Sequence, residues 1–557
     1  MPVTSRPALA LAGVVTAVWL SSPWPRAASG SRGAGITAAD LFQTADRCVS
    51  CHTGLVTPTG EDVSFAPHWR ASMMANSARD PYWQAGVRRE ITEHPQARAA
   101  IEDECSACHM PMTRFASKAG GHEGAVLAYL ATGALADPAR RLAADGVSCT
   151  VCHQIGSERL GGRTSFTGGF HVDTTTSPGA RRIFGPFDID RGRSRIMQSS
   201  SGFVPVRAPH TGESEMCATC HTLITQALGP NGEVVGELPE QVPYLEWQHS
   251  GYRGSTSCQA CHMPVVAEST PITGVSGEPR AGLSRHTFLG GNVLMMRMLN
   301  RHRADLGVEA SPLELDRAAE RTAAHLESEA ARVSILRAER TAERLVVEVI
   351  VENRAGHKLP TAYPSRRAWL HVTVRDRHDA IVFESGRLSA TGRIEGNDND
   401  DDEARFEPHH DEIVASDQVQ VYEAIMADDS GRVTTGLLSA VRYVKDNRLL
   451  PRGFDKGSAP GDVAVHGHAA GDVDFSTGGD RVRYSLALPP TVTPYRVEVE
   501  LLFQSIAYRW AQNLRRFDTA ETKRFLSYYE PMAATSAVVL ARATAAATPT
   551  SQAQTSP

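Results

Sequence analysis

The hydrophobic rhythm of the chain changes along its length. Arg6 leads an apolar run from Ala8 to Leu20, and a short polar stretch follows it to Ala28 and Ser29. Such a run, with a basic residue before it and small residues after it, reads as a signal peptide over residues 1–29. It is short for a membrane span, and no later stretch approaches ~18 unbroken apolar residues. The expected product is an exported protein with no membrane span after cleavage, periplasmic or extracellular. The alternative is an uncleaved amino-terminal anchor.

A second rhythm begins at Ser311, where apolar residues fall at helical spacing as far as Arg344 among many charge pairs. Ser311, Pro312 and Glu314 form a helix start, so residues 304–333 read as a linker helix with His325 on its surface. The period then drops to two. Arg344–Arg354, Ala368–Asp376, Ala380–Gly386, Gln418–Met426, Arg481–Leu488 and Tyr495–Gln504 alternate or run apolar with β-branched residues. Turn residues separate them, which predicts an antiparallel β-sandwich over 334–545. A helical segment, Ser505–Pro531, follows the last of these strands, and residues 546–557 read as a disordered tail.

Length and charge add little to this picture. The 557 residues suit two or three domains, and 22% charged residues with a net charge of -6 give no basic excess for nucleic acid. The cysteines add much more. All ten belong to CxxC pairs, Cys48 with Cys51, Cys105 with Cys108, Cys149 with Cys152, Cys217 with Cys220 and Cys258 with Cys261, and a histidine follows each pair. Structural zinc takes four ligands from two such knuckles. Five knuckles do not pair evenly, and zinc gives the histidine no role. A redox dithiol or a disulfide framework leaves it equally unexplained.

Covalent c-type haem uses every residue of the motif: two thiols on one tight turn bond the porphyrin and the adjacent imidazole binds the iron. Five haems c are expected, with His52, His109, His153, His221 and His262 as proximal ligands. Too few residues separate the motifs for each to build its own hydrophobic core, so the haems must supply the core and lie close together.

The sixth ligand sets each potential. His94, His210 and His249 precede the next motif by eleven, seven and nine residues, and His286 follows the last one. These four are the expected distal ligands. His68, Met73 and Met74 are candidates for the remaining iron, with Met as core filling the alternative reading. His122 and His171, beside glycines, read equally as loop residues, and an iron with no sixth protein ligand stays open.

Two further stretches lie in the sandwich region. The GHKLPT turn, Gly356–Thr361, reads as a structured turn whose His and Lys could alternatively meet a haem across the interface. The acidic stretch Glu395–Glu412 holds enough oxygen for Ca²⁺ but lacks EF-hand spacing. It is expected to be a solvated loop, with His409 and His410 facing solvent.

The five motifs, the CHMP variants at Cys108–Pro111 and Cys261–Pro264, and Tyr244–Tyr252 before the last motif give residues 40–300, within a haem domain expected over 40–303, a resemblance. They resemble the multihaem cytochrome c superfamily, near the tetrahaem cytochromes of ammonia oxidisers, hydroxylamine oxidoreductase and pentahaem nitrite reductase. The GHKLPT-containing region resembles a carboxy-terminal module of exported multihaem cytochromes. The resemblance implies a multidomain protein: a mostly α-helical, loop-rich haem domain with largely bis-His ligation, then the linker helix and the antiparallel β-sandwich. It departs from nitrite reductase in lacking CxxCK and from hydroxylamine oxidoreductase in having five motifs rather than eight. The expected function is electron transfer between redox partner proteins. The alternative is a multihaem oxidoreductase acting on a small nitrogen or sulfur compound at one five-coordinate haem.

Overall fold

Proline and aspartate set the helix starts of the amino-terminal half. Asp80 caps Pro81–Glu93, accepting from the Tyr82 and Trp83 N–H groups at 2.8 and 3.2 Å. Pro81 fills a first-turn position whose N–H would have no partner. Asp137 and Asp190 cap Pro138–Ala144 and Arg191–Ser201 in the same way. The computed structural model describes residues 41–130, 137–341, 343–488 and 494–549. The signal-peptide reading over residues 1–29 lies outside them.

Helices in this half are short, and loops join them. Each CxxCH motif rides on about one helical turn: Asp46–Val49, the end of Arg98–His109, Cys149–Cys152, Ser214–Ala218 and Cys258–His262. Helix Pro312–His325 then starts with a complete capping box, in which the Ser311 hydroxyl accepts from Glu314 N–H and the Glu314 carboxylate accepts from Ser311 N–H. A π turn over Leu326–Ala330 leads directly into the strand Ala331–Arg340.

From there the period-two segments form strands. Among the described residues, one five-stranded sheet joins Ile381–Ser385, Arg367–Arg375, Arg496–Gln504 and Ala537–Ala546 in that order, with Val421–Tyr422 also on Arg367–Arg375. The other runs Glu412–Ile413, Gly479–Ala487, Arg344–Asn353, Ala331–Arg340, Thr548–Pro549. Pairing is antiparallel except at Glu412–Ile413 and Thr548–Pro549. Alternate residues Leu345, Val347, Val349 and Val351 are buried, as are Val372, Val374, Val497 and Val499, and all eight belong to one hydrophobic cluster shared by both sheets. The strand Ala537–Ala546 falls in a stretch that alanine content had hidden.

The described residues form one compact unit, and charged side chains join its two halves. Arg88 donates twice to Glu521 at 2.9 Å, Arg89 donates to the Thr435 carbonyl at 2.8 Å, and Glu90 accepts from Leu437 N–H at 3.0 Å.

The acidic stretch is not a solvated loop. Asn397, Asn399, Asp400 and Glu407 are buried, and Asp400 takes a bidentate pair from the buried Arg367 at 2.8 and 2.9 Å. Asp398, Asp401 and Glu395 pair with Arg405, Arg393 and Arg387. Arginines therefore take up the oxygens that a calcium ion would use. Nor do His409 and His410 face solvent. His409 is buried and donates Nε2–H to Asp472 at 3.0 Å while Nδ1 accepts from Gln420 and Asn447; His410 bonds Glu407 at 2.7 Å. Residue type predicted exposure, but the loop folds inward because these partners satisfy its buried carboxylates and histidines.

Candidate haem-binding site

The motif turns converge. The thiols of Cys48 and Cys149 are neighbours, as are those of Cys108 and Cys220 and of Cys217 and Cys258, and Cys152 lies within electrostatic range of Cys217 and Cys220. The five motifs thus form one connected series in the order first, third, fourth and fifth, with the second beside the fourth. None of the ten cysteines is paired in a disulfide.

A cavity of about 780 Å³ runs through this series, lined by cysteines of four motifs together with His52, His109, His153 and His221. Most of its remaining lining is apolar, including Val49, Trp69, Val87, Ile101, Val151 and Met295.

Backbone carbonyls orient the motif imidazoles. Nδ1–H of His52 donates to Ile272 O at 2.6 Å, of His109 to Ser77 O at 2.9 Å and of His153 to Phe184 O at 2.6 Å; His262 donates to Leu289 O. These bonds fix the tautomer that leaves Nε2 as the lone-pair nitrogen, as a metal ligand requires. Burial lowers the pKa of all five histidines, to about 4 for His109 and His221, so each imidazole is neutral. Paired thiols on one turn, a neutral imidazole beside them and an apolar slot fit covalent haem.

The expected distal residues are placed unequally. His286 lines the cavity, with its ring centre 6.3 Å from that of His153 and the planes 19° apart. Its Nδ1–H donates to Ser284 O at 3.1 Å, and Phe65 packs on it at 4.2 Å. Met73 and Met74 also line the cavity. The remaining four lie elsewhere. His94 is buried against Ser439, 3.3 Å from Nε2; His210 donates Nε2–H to Ile155 O at 2.8 Å; His249 is exposed with Phe454 at its edge; and His68 is half-buried, its Nδ1 unpartnered among the described residues. His122 is exposed and His171 sits near Glu158.

Two features escaped the sequence reading. Glu90, Glu104 and Glu240 line the cavity near the second motif. Burial pushes Glu104 up to about 7 and Glu240 up to about 8, and raises Glu90. Each stands in an ordinary helical or extended segment, where only the fold shows that Glu90 and Glu240 are buried and Glu104 half-buried. The other feature is a flat stack of Trp83 on His109, with ring centres 4.2 Å apart and planes 3° apart.

No family model matches the chain, and no curated protein matches it. Among solved structures it is similar to a penta-heme cytochrome c552 from Thermochromatium tepidum, at 16% sequence identity and a TM-score of 0.52. The match covers 90% of this chain and 98% of that one. The likeness is one of fold, and it spans both halves.

Proposed function

We propose that the chain is an exported pentahaem c-type cytochrome that transfers electrons between redox partner proteins. Its thiol pairs, Cys48 with Cys51, Cys105 with Cys108, Cys149 with Cys152, Cys217 with Cys220 and Cys258 with Cys261, would each hold one haem. His52, His109, His153, His221 and His262 would be the proximal ligands. Bound haem supplies one-electron redox chemistry at iron. The chain's own residues space the sites, hold Nε2 of His52, His109, His153 and His262 toward their slots through the Nδ1 bonds, and keep water from the slots with an apolar wall.

The observation that carries this reading is the contact series of the motifs. Residues far apart in sequence are gathered so that every thiol pair has another beside it. A binding or structural protein has no need of such continuity. Beside His153, His286 is the distal ligand that the ring geometry favours. His94, His210 and His249, and His68, Met73 or Met74, remain the sequence-based assignments for other irons. Export accords with thioether attachment outside the cytoplasm. Among the described residues no helix is long and apolar enough to cross a membrane.

Intact mass and EPR of the purified protein, with carbon monoxide added to the reduced form, test the reading. Five attached haems, all low-spin and indifferent to carbon monoxide, are expected. Fewer than five would overturn it. His286→Ala should turn one low-spin haem high-spin at unchanged haem mass.

A second reading, an oxidoreductase acting on a small nitrogen or sulfur compound at one open iron, is favoured by one observation. On the cavity wall near the second motif Glu240, held at about 8, keeps its proton at neutral pH and Glu104, at about 7, can exchange one, and reduction of an oxyanion consumes protons. One high-spin haem that binds carbon monoxide in the native protein, with turnover of nitrite, hydroxylamine or sulfite, would decide for it.

A further inference from the structure

The last motif has a histidine opposite it that comes from the other half of the molecule. His357, in the Gly356–Thr361 turn of the sheet-rich half, lies with its ring centre 6.2 Å from that of His262 and the planes 14° apart. A metal bound between two imidazoles at about 2 Å from each nitrogen holds the ring centres about 6 Å apart. The His153–His286 pair has nearly the same separation and tilt.

Tautomers agree with this geometry. His262 donates Nδ1–H to Leu289 O and His357 donates Nδ1–H to Lys358 O at 2.8 Å. Among the described residues neither Nε2 has a hydrogen-bond partner, so each ring keeps its lone pair on that nitrogen.

The turn carrying His357 is anchored from both sides. Asn353 donates its side-chain amide to His357 O at 2.8 Å. Lys358 is fully buried, bonding Asp446 at 2.7 Å and Ala464 O at 3.1 Å. Glu246, fully buried in the helix Pro243–Gln248 that precedes the last motif, accepts from Lys358 N–H at 3.0 Å and the Thr361 hydroxyl at 2.5 Å, and pairs with Arg448 at 2.9 Å. A Cβ on Gly356 would come within 3.3 Å of Trp247 and 3.6 Å of Tyr252. Glycine therefore lets the turn lie flat on the segment leading to Cys258. Buried ion pairs of this kind give little net stability and much definition of geometry, as a metal ligand needs.

We propose that Nε2 of His357 is the sixth ligand of the haem held by Cys258, Cys261 and His262. This assignment rests on the haem-binding reading above. It makes the sheet-rich half a contributor of a ligand, and leaves His249, exposed just ahead of the motif, outside that coordination sphere.

The test uses the full holoprotein. Mass spectrometry of the peptide spanning Cys258 to Cys261 first establishes whether it carries haem; without haem there, the general reading fails at this motif and His357 has no iron to bind. With haem present, His357→Ala should keep it attached and add one high-spin, carbon monoxide-binding haem to the EPR and optical spectra. His357→Met should return that haem to low spin with a thioether ligand and a raised potential. His325→Ala is the control, because His325 also lies within electrostatic range of His262; it should leave the spectra unchanged. Should His357→Ala fail to fold, His357→Met decides alone. Wild-type spectra and potentials in both His357 variants, or the high-spin signal arising from His325→Ala instead, would overturn the assignment.

Discussion

The two halves of the molecule bury their chains by different means. In the sheet-rich half one hydrophobic cluster draws alternate residues from both five-stranded sheets, so its own side chains make a core. The motif-bearing half has several smaller clusters arranged around a large cavity, and many of its polar groups are buried in the helices between them. Short helices joined by loops cannot bury enough apolar surface alone. On the haem-binding reading, a bound group would do in one half what valine and leucine do in the other.

The strongest way to break this contrast is to withhold the group. Protein made without haem attachment should lose protease resistance across residues 41–303 while fragments from the sheet-rich half survive, as limited proteolysis with mass mapping would show. Equal resistance in both halves would remove the contrast. Next in size, Asp400→Ala leaves the buried Arg367 guanidinium unpaired and should cost ~3–5 kcal/mol in denaturant unfolding, with haem spectra unchanged.

A smaller effect concerns pH in the motif-bearing half. Glu240 is held at about 8, against an ordinary value of 4.5, because burial disfavours its charge. Between those values the folded protein keeps a proton that the unfolded chain has released, so stability falls as pH rises through that window and levels off above it. Glu240→Gln should flatten this slope, measured as the unfolding midpoint from pH 5 to 9. The least effect is expected between the halves: Ser311→Ala removes a capping-box hydroxyl and should cost ~1 kcal/mol.

Sequence alone reached the motifs and most of the strands because both are local patterns. CxxCH states its chemistry within five residues, and Arg344–Asn353 shows its buried face by alternation. Ala537–Ala546 was missed because its many alanines carry little β signal, and its pairing with Arg496–Gln504 settles its state. Glu104 and Glu240 look like surface carboxylates in the text, and only the fold shows that their surroundings disfavour the charge. His357 was legible only as one option for a turn: its neighbour His262 is remote in sequence, and topology brings them together.

Glu246 carries one more consequence, which concerns order in time. Its partners are Lys358, Thr361 and Arg448, all later in the chain than the helix it stands on. A polypeptide that emerges amino terminus first presents Glu246 long before those partners exist, and a buried carboxylate with no partner is strongly disfavoured. The segment before the last motif therefore cannot take its final form until residue 448 has arrived.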